Sequence, residues 1–423
     1  MDSKANNFST KKLKVGMETV ENIVIVGAGI SGLATSLGLH RLGIQSLVLE
    51  SADRLRTTGF AFIMWTNAWK ALDAIGIGDI LRAKHNKLTG IVSTSVNSGL
   101  TTSELPFGAI DSQDNDDIWC VNRKVLLETM ENELPSGTIR YSSKVVHIQI
   151  DGCFKSIHLA DGTVLKTKVL IGCDGINSVV AKFLGFTKPF FVRRSAVRGY
   201  LYFEEAHGFE PKVMQFFGKG VRFGVIPCND HGVYWFFTFS PSPGEKDIVE
   251  DPTKLKQLIL SRLGKVPNKI KEVFEKTEPT NTVFSPLKSG HPWEQLWRNI
   301  SNDNVCIIGD ALHPMTPDIG QGGCAALEDS VVLARLLAEA LKKNALSTDE
   351  ENEHWRIEEA LEKFARERRW RNFDLISTSY VVGYMQQSDG VVMNFLRDKI
   401  MAKYLAGLLL KKAKFDCGKL IGS

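Results

Sequence analysis

No uninterrupted apolar stretch in the chain reaches the ~18 residues that a membrane-crossing helix requires, so no transmembrane segment is expected. Charge of one sign is also missing. Lys and Arg number 52 against 48 Asp and Glu, a formal net charge of +4. So small an imbalance gives no electrostatic case for a nucleic-acid partner. None of the 7 cysteines stands in a C-x-x-C pair, and their number is odd. That argues against a zinc site or a disulfide frame, so no metal is expected, and it fits a reducing compartment such as the cytoplasm. Internal repeats and low-complexity stretches are absent. The N-terminal segment lacks the apolar core of a secretory signal. Its Lys, Ser and Thr suggest a plastid transit peptide, but Asp2, Glu18 and Glu21 oppose that, and a disordered tail is the simpler reading. What is present is globular: 423 residues, 43% apolar and 24% charged. At about 150 residues per domain this is two or three domains.

The first ordered element is the β-branched run Ile23 to Val26, ending at Gly27. An apolar-periodic helix follows through Leu33, Leu37 and Leu42, then a second strand around Leu47 to Leu49. Strand, helix, strand in under thirty residues is a βαβ unit and hence a parallel sheet. Residues 90–107 read as a hairpin around Asn97, Ser98 and Gly99 in a different, antiparallel sheet. Residues 190–240, rich in Phe, Tyr, Val and Trp, read as its main part. Helices are expected over 123–134, 253–276, 319–343, 355–385 and 391–413, with a polar break at 344–354. The fold class is therefore α/β: a discontinuous Rossmann-type dinucleotide domain (20–75, 118–182, 286–345), a substrate domain built on a mixed or antiparallel β-sheet (76–117, 183–285) and C-terminal helices (350–423).

Gly27, Gly29 and Gly32 form G-x-G-x-x-G directly after a strand and opening a helix, and Glu50 follows eighteen residues past the last glycine. That context makes the triplet a dinucleotide fingerprint. The pyrophosphate sits on the helix N-terminus, where free N–H groups and the dipole favour an anion. A carboxylate at Glu50 suits ribose hydroxyls and repels a 2′-phosphate, which points to FAD or NAD. Two more strands end in chemistry-bearing turns, at Asp174-Gly175 and at Gly309-Asp310. Pro314 and the run Gly320-Gln321-Gly322-Gly323 lead from the last of these into a long helix.

The three motifs in this order resemble the single-component FAD-dependent aromatic hydroxylases typified by 4-hydroxybenzoate hydroxylase, over roughly residues 20 to 345. The plant monooxygenase branch, salicylate hydroxylase, the FAD-type urate hydroxylase and zeaxanthin epoxidase are similar. The resemblance implies FAD held by Gly27, Gly29, Gly32, Glu50, Arg56, Gly59 and Arg123. It implies that Asp174 and Gly175 serve FAD and NAD(P)H, that Gly309 and Asp310 hold the ribityl and pyrophosphate, and that Pro314 faces the ring. Gly320, Gly322 and Gly323 would present backbone N–H groups to the flavin, and one such donor is typically worth about 3 kcal/mol in a barrier. Many members carry an Asn soon after Gly-x-Gly. Here the run is Gly322-Gly323-Cys324-Ala325, so a backbone N–H must replace that side chain.

The implied activity is an NAD(P)H- and O₂-dependent monooxygenase. The flavin is reduced, O₂ adds at its C4a, and one oxygen passes to an aromatic or phenolic small molecule. Epoxidation or oxidative rearrangement of a terpenoid is the alternative, and a flavin-binding regulatory protein without hydroxylase activity is the alternative of another class. In the urate hydroxylase branch an Arg and a Tyr spaced like Arg222 and Tyr234 line the substrate pocket. By residue type alone the pair reads equally as a salt-bridged Arg and a core Tyr. Arg198 is similarly open, and His313 reads as a structural histidine. The substrate, the preferred nicotinamide and the oligomeric state are not legible in the sequence.

Overall fold

The computed structural model describes residues 20–57, 60–108, 117–218, 220–245, 248, 250–342, 350–387 and 402–420. Gly59, the N-terminal tail and the first part of the expected helix over 391–413 lie outside the described residues.

Ile23, Val24, Ile25 and Val26 are all buried, so their strand is covered on both faces, as in a parallel sheet flanked by helices. The strand Val20–Val26 pairs in parallel with Val164–Gly172 on one side and Leu47–Leu49 on the other. Beyond Val164–Gly172 lies Val305–Ile307, also parallel. The helices Ile30–Arg41 and Gly322–Lys342 pack closely over this sheet. A Cβ on Gly38 would lie 3.0 Å from that of Ala334, so no larger residue fits their crossing without adjustment.

The second sheet runs Thr282–Ser289, Phe190–Tyr202, Gly232–Phe239, Val221–Pro227, Lys212–Gly218, Gly90–Ser95 and Thr101–Pro106. Its pairings are antiparallel except that between Lys212–Gly218 and Gly90–Ser95. The period-2 rule separates its faces. Phe216, Phe223, Trp235 and Phe237 form one core with Ile259, Val273 and Phe274 of the helices Pro252–Arg262 and Asn268–Lys276. Ile226 and Tyr234, of opposite parity, belong instead to the core shared with the nucleotide sheet. A small ribbon, Ala61–Met64 with Trp119–Asn122, joins the same core.

Two expectations are corrected in detail. Residues 253–276 are two helices, because Gly264 turns left-handed at φ 65° and Pro267 precedes the second start. The long helix starts at Gly322, since a 3₁₀ turn over Pro317–Ile319 ends at Gly320 with φ 62°.

Candidate functional site

At the first motif the glycines answer to different constraints. A Cβ on Gly27 would lie 2.6 Å from the Cys173 carbonyl oxygen, and one on Gly32 only 1.9 Å from that of Gly27. A Cβ on Gly29 would meet nothing within 4 Å. Gly27 and Gly32 are therefore required by the protein itself, whereas Gly29 borders open space. The helix that starts there has Gly29 as N-cap, no side-chain cap and no acidic residue in its first turn. Its first N–H groups are left for an external anion. These residues fit the pyrophosphate of FAD.

Glu50 is buried at the end of the second strand. One of its oxygens accepts from the Ala28 N–H at 2.9 Å; the other accepts from the Ala52 N–H at 2.9 Å and from Arg56 at 3.0 Å. Burial opposes the charge, yet these bonds hold its pKa below the usual value. The carboxylate is thus ionised and braces the phosphate loop, with lone pairs left for a ribose. Arg123 starts the helix Arg123–Asn132, capped by Asn122, and donates to the Arg56 carbonyl. Its charge also acts on Asp310.

Gly309 turns at φ 61°, and a Cβ there would lie 2.7 Å from Ser31 Oγ. The turn so formed leaves Asp310 exposed on the floor of the crevice. Asp310 lies within reach of the charges of His313, Arg123 and Arg198. A Cβ on Gly322 would be 4.0 Å from Asp310 Oδ1, so the start of the long helix borders the same space. Gly320 packs on Trp65, whose Nε1 would be 3.0 Å from a Cβ there, and Gly323 packs on the Phe62 ring at 2.9 Å. Cys324 is fully buried, its Sγ 3.5 Å from the Gly320 carbonyl oxygen.

Asp174 accepts from the Ser178 hydroxyl and, at 2.6 Å, from the Val179 N–H. Its carboxylate is spent on closing its own turn, while a Cβ on Gly175 would meet open space. That space is a cavity of about 250 Å³ whose lining includes Gly175, Lys182, Lys188, His291, Asp310 and Pro314.

Arg222 and Tyr234 lie on adjacent strands. Arg222 pairs with Thr238 and Tyr234 with Ile226, which puts both side chains on the face turned toward the nucleotide sheet. Both are buried. Arg222 donates to Asp318 Oδ1 at 3.1 Å, and Arg194 grips the same carboxylate at 3.0 and 2.8 Å. The Arg222 guanidinium also lies 5.1 Å from the Phe236 ring centroid. Its Nε is buried without a partner among the described residues. Burial raises the Tyr234 pKa to about 12, against the opposing charge of Arg198. Arg198 thus acts on both Tyr234 and Asp310. His313 is fully buried, with Nε2 2.7 Å from Asp329.

Asp318 was legible only as an acid in a Pro-Asp-Ile-Gly turn beside the last motif; its two arginine partners come from distant strands, so sequence spacing did not single it out. Phe62 and Trp65 carried no signal, being apolar residues between motifs.

Fold and crevice together define a flavoprotein of the monooxygenase class: the chain belongs to the FAD binding domain family, which matches residues 20–364. FAD is its cofactor, and it is an FAD-dependent monooxygenase. It is 52% identical over 406 residues to Monooxygenase 2 of Arabidopsis thaliana, covering 95% of this chain and 98% of that protein. An FAD-dependent urate hydroxylase of Klebsiella pneumoniae is 27% identical over 315 residues, 73% of this chain and 79% of that one. The fold is that of Klebsiella pneumoniae HpxO solved with FAD and uric acid, with TM-score 0.78 at 22% identity, covering 93% of this chain and 96% of that chain. Among the described residues no helix is long and apolar enough to cross a membrane, and no cluster of His, Cys, Asp or Glu could hold a metal ion.

Proposed function

We propose that the protein hydroxylates a small aromatic or phenolic molecule, using O₂ and NAD(P)H, in the cytoplasm. The observation that carries the substrate reading is the buried Arg222 with its unpartnered Nε, bonded to Asp318 in the turn that ends at Gly320. Bound FAD supplies the reactivity toward O₂. Arg222 offers a charged donor to a phenolate or carboxylate oxygen, and Asp318 fixes the guanidinium so that little reorganisation is needed. Tyr234 stays protonated at neutral pH and donates to, or holds a proton for, a ring hydroxyl. Phe217 and Phe236 flank Arg222 and exclude water from it. Asp310, with Arg123 and Arg198 acting on its charge, is placed to accept from the ribityl chain. The cavity beside Gly175 and Pro314 carries Lys182 and Lys188 at its edge and His291 in its wall, a donor set suited to the phosphates and rings of a nicotinamide dinucleotide.

The test is NAD(P)H oxidation by FAD-loaded protein over a panel of phenols, aryl carboxylates and terpenoids, with products identified by mass spectrometry. Stimulation by a phenolic compound, with one oxygen gained, is expected. Arg222→Met and Tyr234→Phe should keep FAD and lose at least tenfold of the substrate stimulation. Full stimulation in both variants, or a terpenoid epoxide as the product, would overturn the reading.

A further inference from the structure

Four charged side chains with no exposed surface lie behind the flavin turn: Glu328, Asp329, His313 and Arg368. Asp329 is their hinge. Its Oδ2 accepts from the Gly309 N–H at 3.0 Å and faces His313 Nε2 at 2.7 Å. Its Oδ1 accepts from Arg368 Nε at 2.7 Å. Arg368 therefore sits two contacts from the backbone that presents Asp310, although it belongs to the C-terminal helix Glu350–Gln387 and lies beyond the residues matched by the family. It is itself held from two sides. Its terminal nitrogen donates to Glu328 at 2.6 Å, and its guanidinium lies 4.7 Å from the ring centroid of Phe415 in the C-terminal segment.

The geometry points to Arg368 as a positioning residue for FAD: it fixes Asp329, and Asp329 fixes the left-handed turn at Gly309 and the ring of His313. Three features require this. Gly309 is at φ 61°, and Ser31 Oγ would lie 2.7 Å from a Cβ there, so only a glycine turn fits and its N–H is aimed at Asp329. Asp329 has no surface exposure, so water cannot replace a lost partner. The two Asp329 oxygens are committed to different elements, so turning the carboxylate to recover one bond breaks the other. Arg371 provides the contrast. It donates to Glu328 at 2.7 Å and to the Lys412 carbonyl at 2.7 Å, with no bond to Asp329. Arg371 secures the C-terminal segment; Arg368 secures the cofactor turn.

The experiment measures FAD dissociation from the full chain by flavin fluorescence, in a double-mutant cycle. Arg368→Lys keeps the buried charge but cannot reach Asp329 and Glu328 together, and should weaken FAD binding at least tenfold with circular dichroism unchanged. Asp329→Asn should weaken it at least as much. The double variant should be no worse than Asp329→Asn alone, since the first residue acts through the second. Arg371→Lys should lower the melting temperature and leave FAD affinity within twofold of wild type. Should Arg368→Lys not fold, Arg368→Met combined with Asp329→Asn removes one charge of each sign and should match Asp329→Asn in FAD affinity. Wild-type affinity in Arg368→Lys, additive losses across the cycle, or an equal FAD loss in Arg371→Lys would overturn the assignment.

Discussion

Gly29 and Gly32 separate two meanings of one residue type. A methyl on Gly32 collides with the Gly27 carbonyl at 1.9 Å, so Gly32→Ala should cost more than about 3 kcal/mol in folding stability. A methyl on Gly29 enters open space, so Gly29→Ala should fold with less than about 1 kcal/mol lost. It should nevertheless weaken FAD binding at least tenfold, because the space it fills is the one proposed for the pyrophosphate. Chemical denaturation and FAD titration of the two variants check this, and equal behaviour in both assays would refute it. The His313–Asp329 pair gives a second prediction. Burial opposes the imidazolium, but the Asp329 charge and bond raise its pKa above the ordinary 6.5. Its contribution to stability is full below pH 6.5 and is lost as pH rises through the higher folded value. Burial likewise opposes the Asp329 charge, but His313 and Arg368 pull its pKa from 3.8 to about 2, so that contribution is full above pH 3.8 and is lost toward pH 2. Melting temperature should therefore decline from pH 6.5 to 9, and His313→Gln should flatten the decline. The glycine triplet and the Gly-Asp turn were legible because backbone sterics restrict which residues those turns accept. The acid that pins the turn was not legible, since Asp329 and Arg368 meet only through the packing of two helices.

Elements were legible where period and punctuation agree. The alternation in Val221–Pro227 and Gly232–Phe239 announced a sheet with two different faces, and the aromatic residues divide between them by parity. The break inside 253–276 was written in Gly264 and Pro267, but the apolar period continues across it and masked the stop. The parallel pairing of Gly90–Ser95 with Lys212–Gly218 joins segments over a hundred residues apart, and no local pattern encodes such a partner. The 38-residue helix Glu350–Gln387 is similar: its own sequence marks a helix, while its role comes from what it touches. It delivers Arg368 to the flavin turn. One face further along, Gly383 closes on the Asp318–Arg194 pair, where a Cβ would lie 2.1 Å from Asp318 Oδ2 and 2.2 Å from the Arg194 guanidinium.

At the scale of the whole chain, Val20–Val26 precedes the other described strands, and the sheet it belongs to is completed only by Val305–Ile307. Its neighbour Val164–Gly172 is followed in the sheet by Val305–Ile307, and the helix that covers them starts at Gly322. Ribosomes deliver roughly 5–20 residues per second, so the pyrophosphate loop leaves the exit tunnel on the order of tens of seconds before Asp310 and Gly322 follow. During that interval an apolar strand and a half-built anion site stand open to chaperones, proteases and stray nucleotides. A site that needs both Gly29 and Asp310 is incomplete until the later of them has been made, so FAD retention is expected only after the strand Val305–Ile307 has joined the sheet. Ribosome-bound chains ending at residue 300 should retain no FAD, while released chains of all 423 residues should retain it; comparable flavin in both would show that the first 300 residues close their own site. The order of strands in a sheet thus becomes a schedule for when a cofactor site can exist.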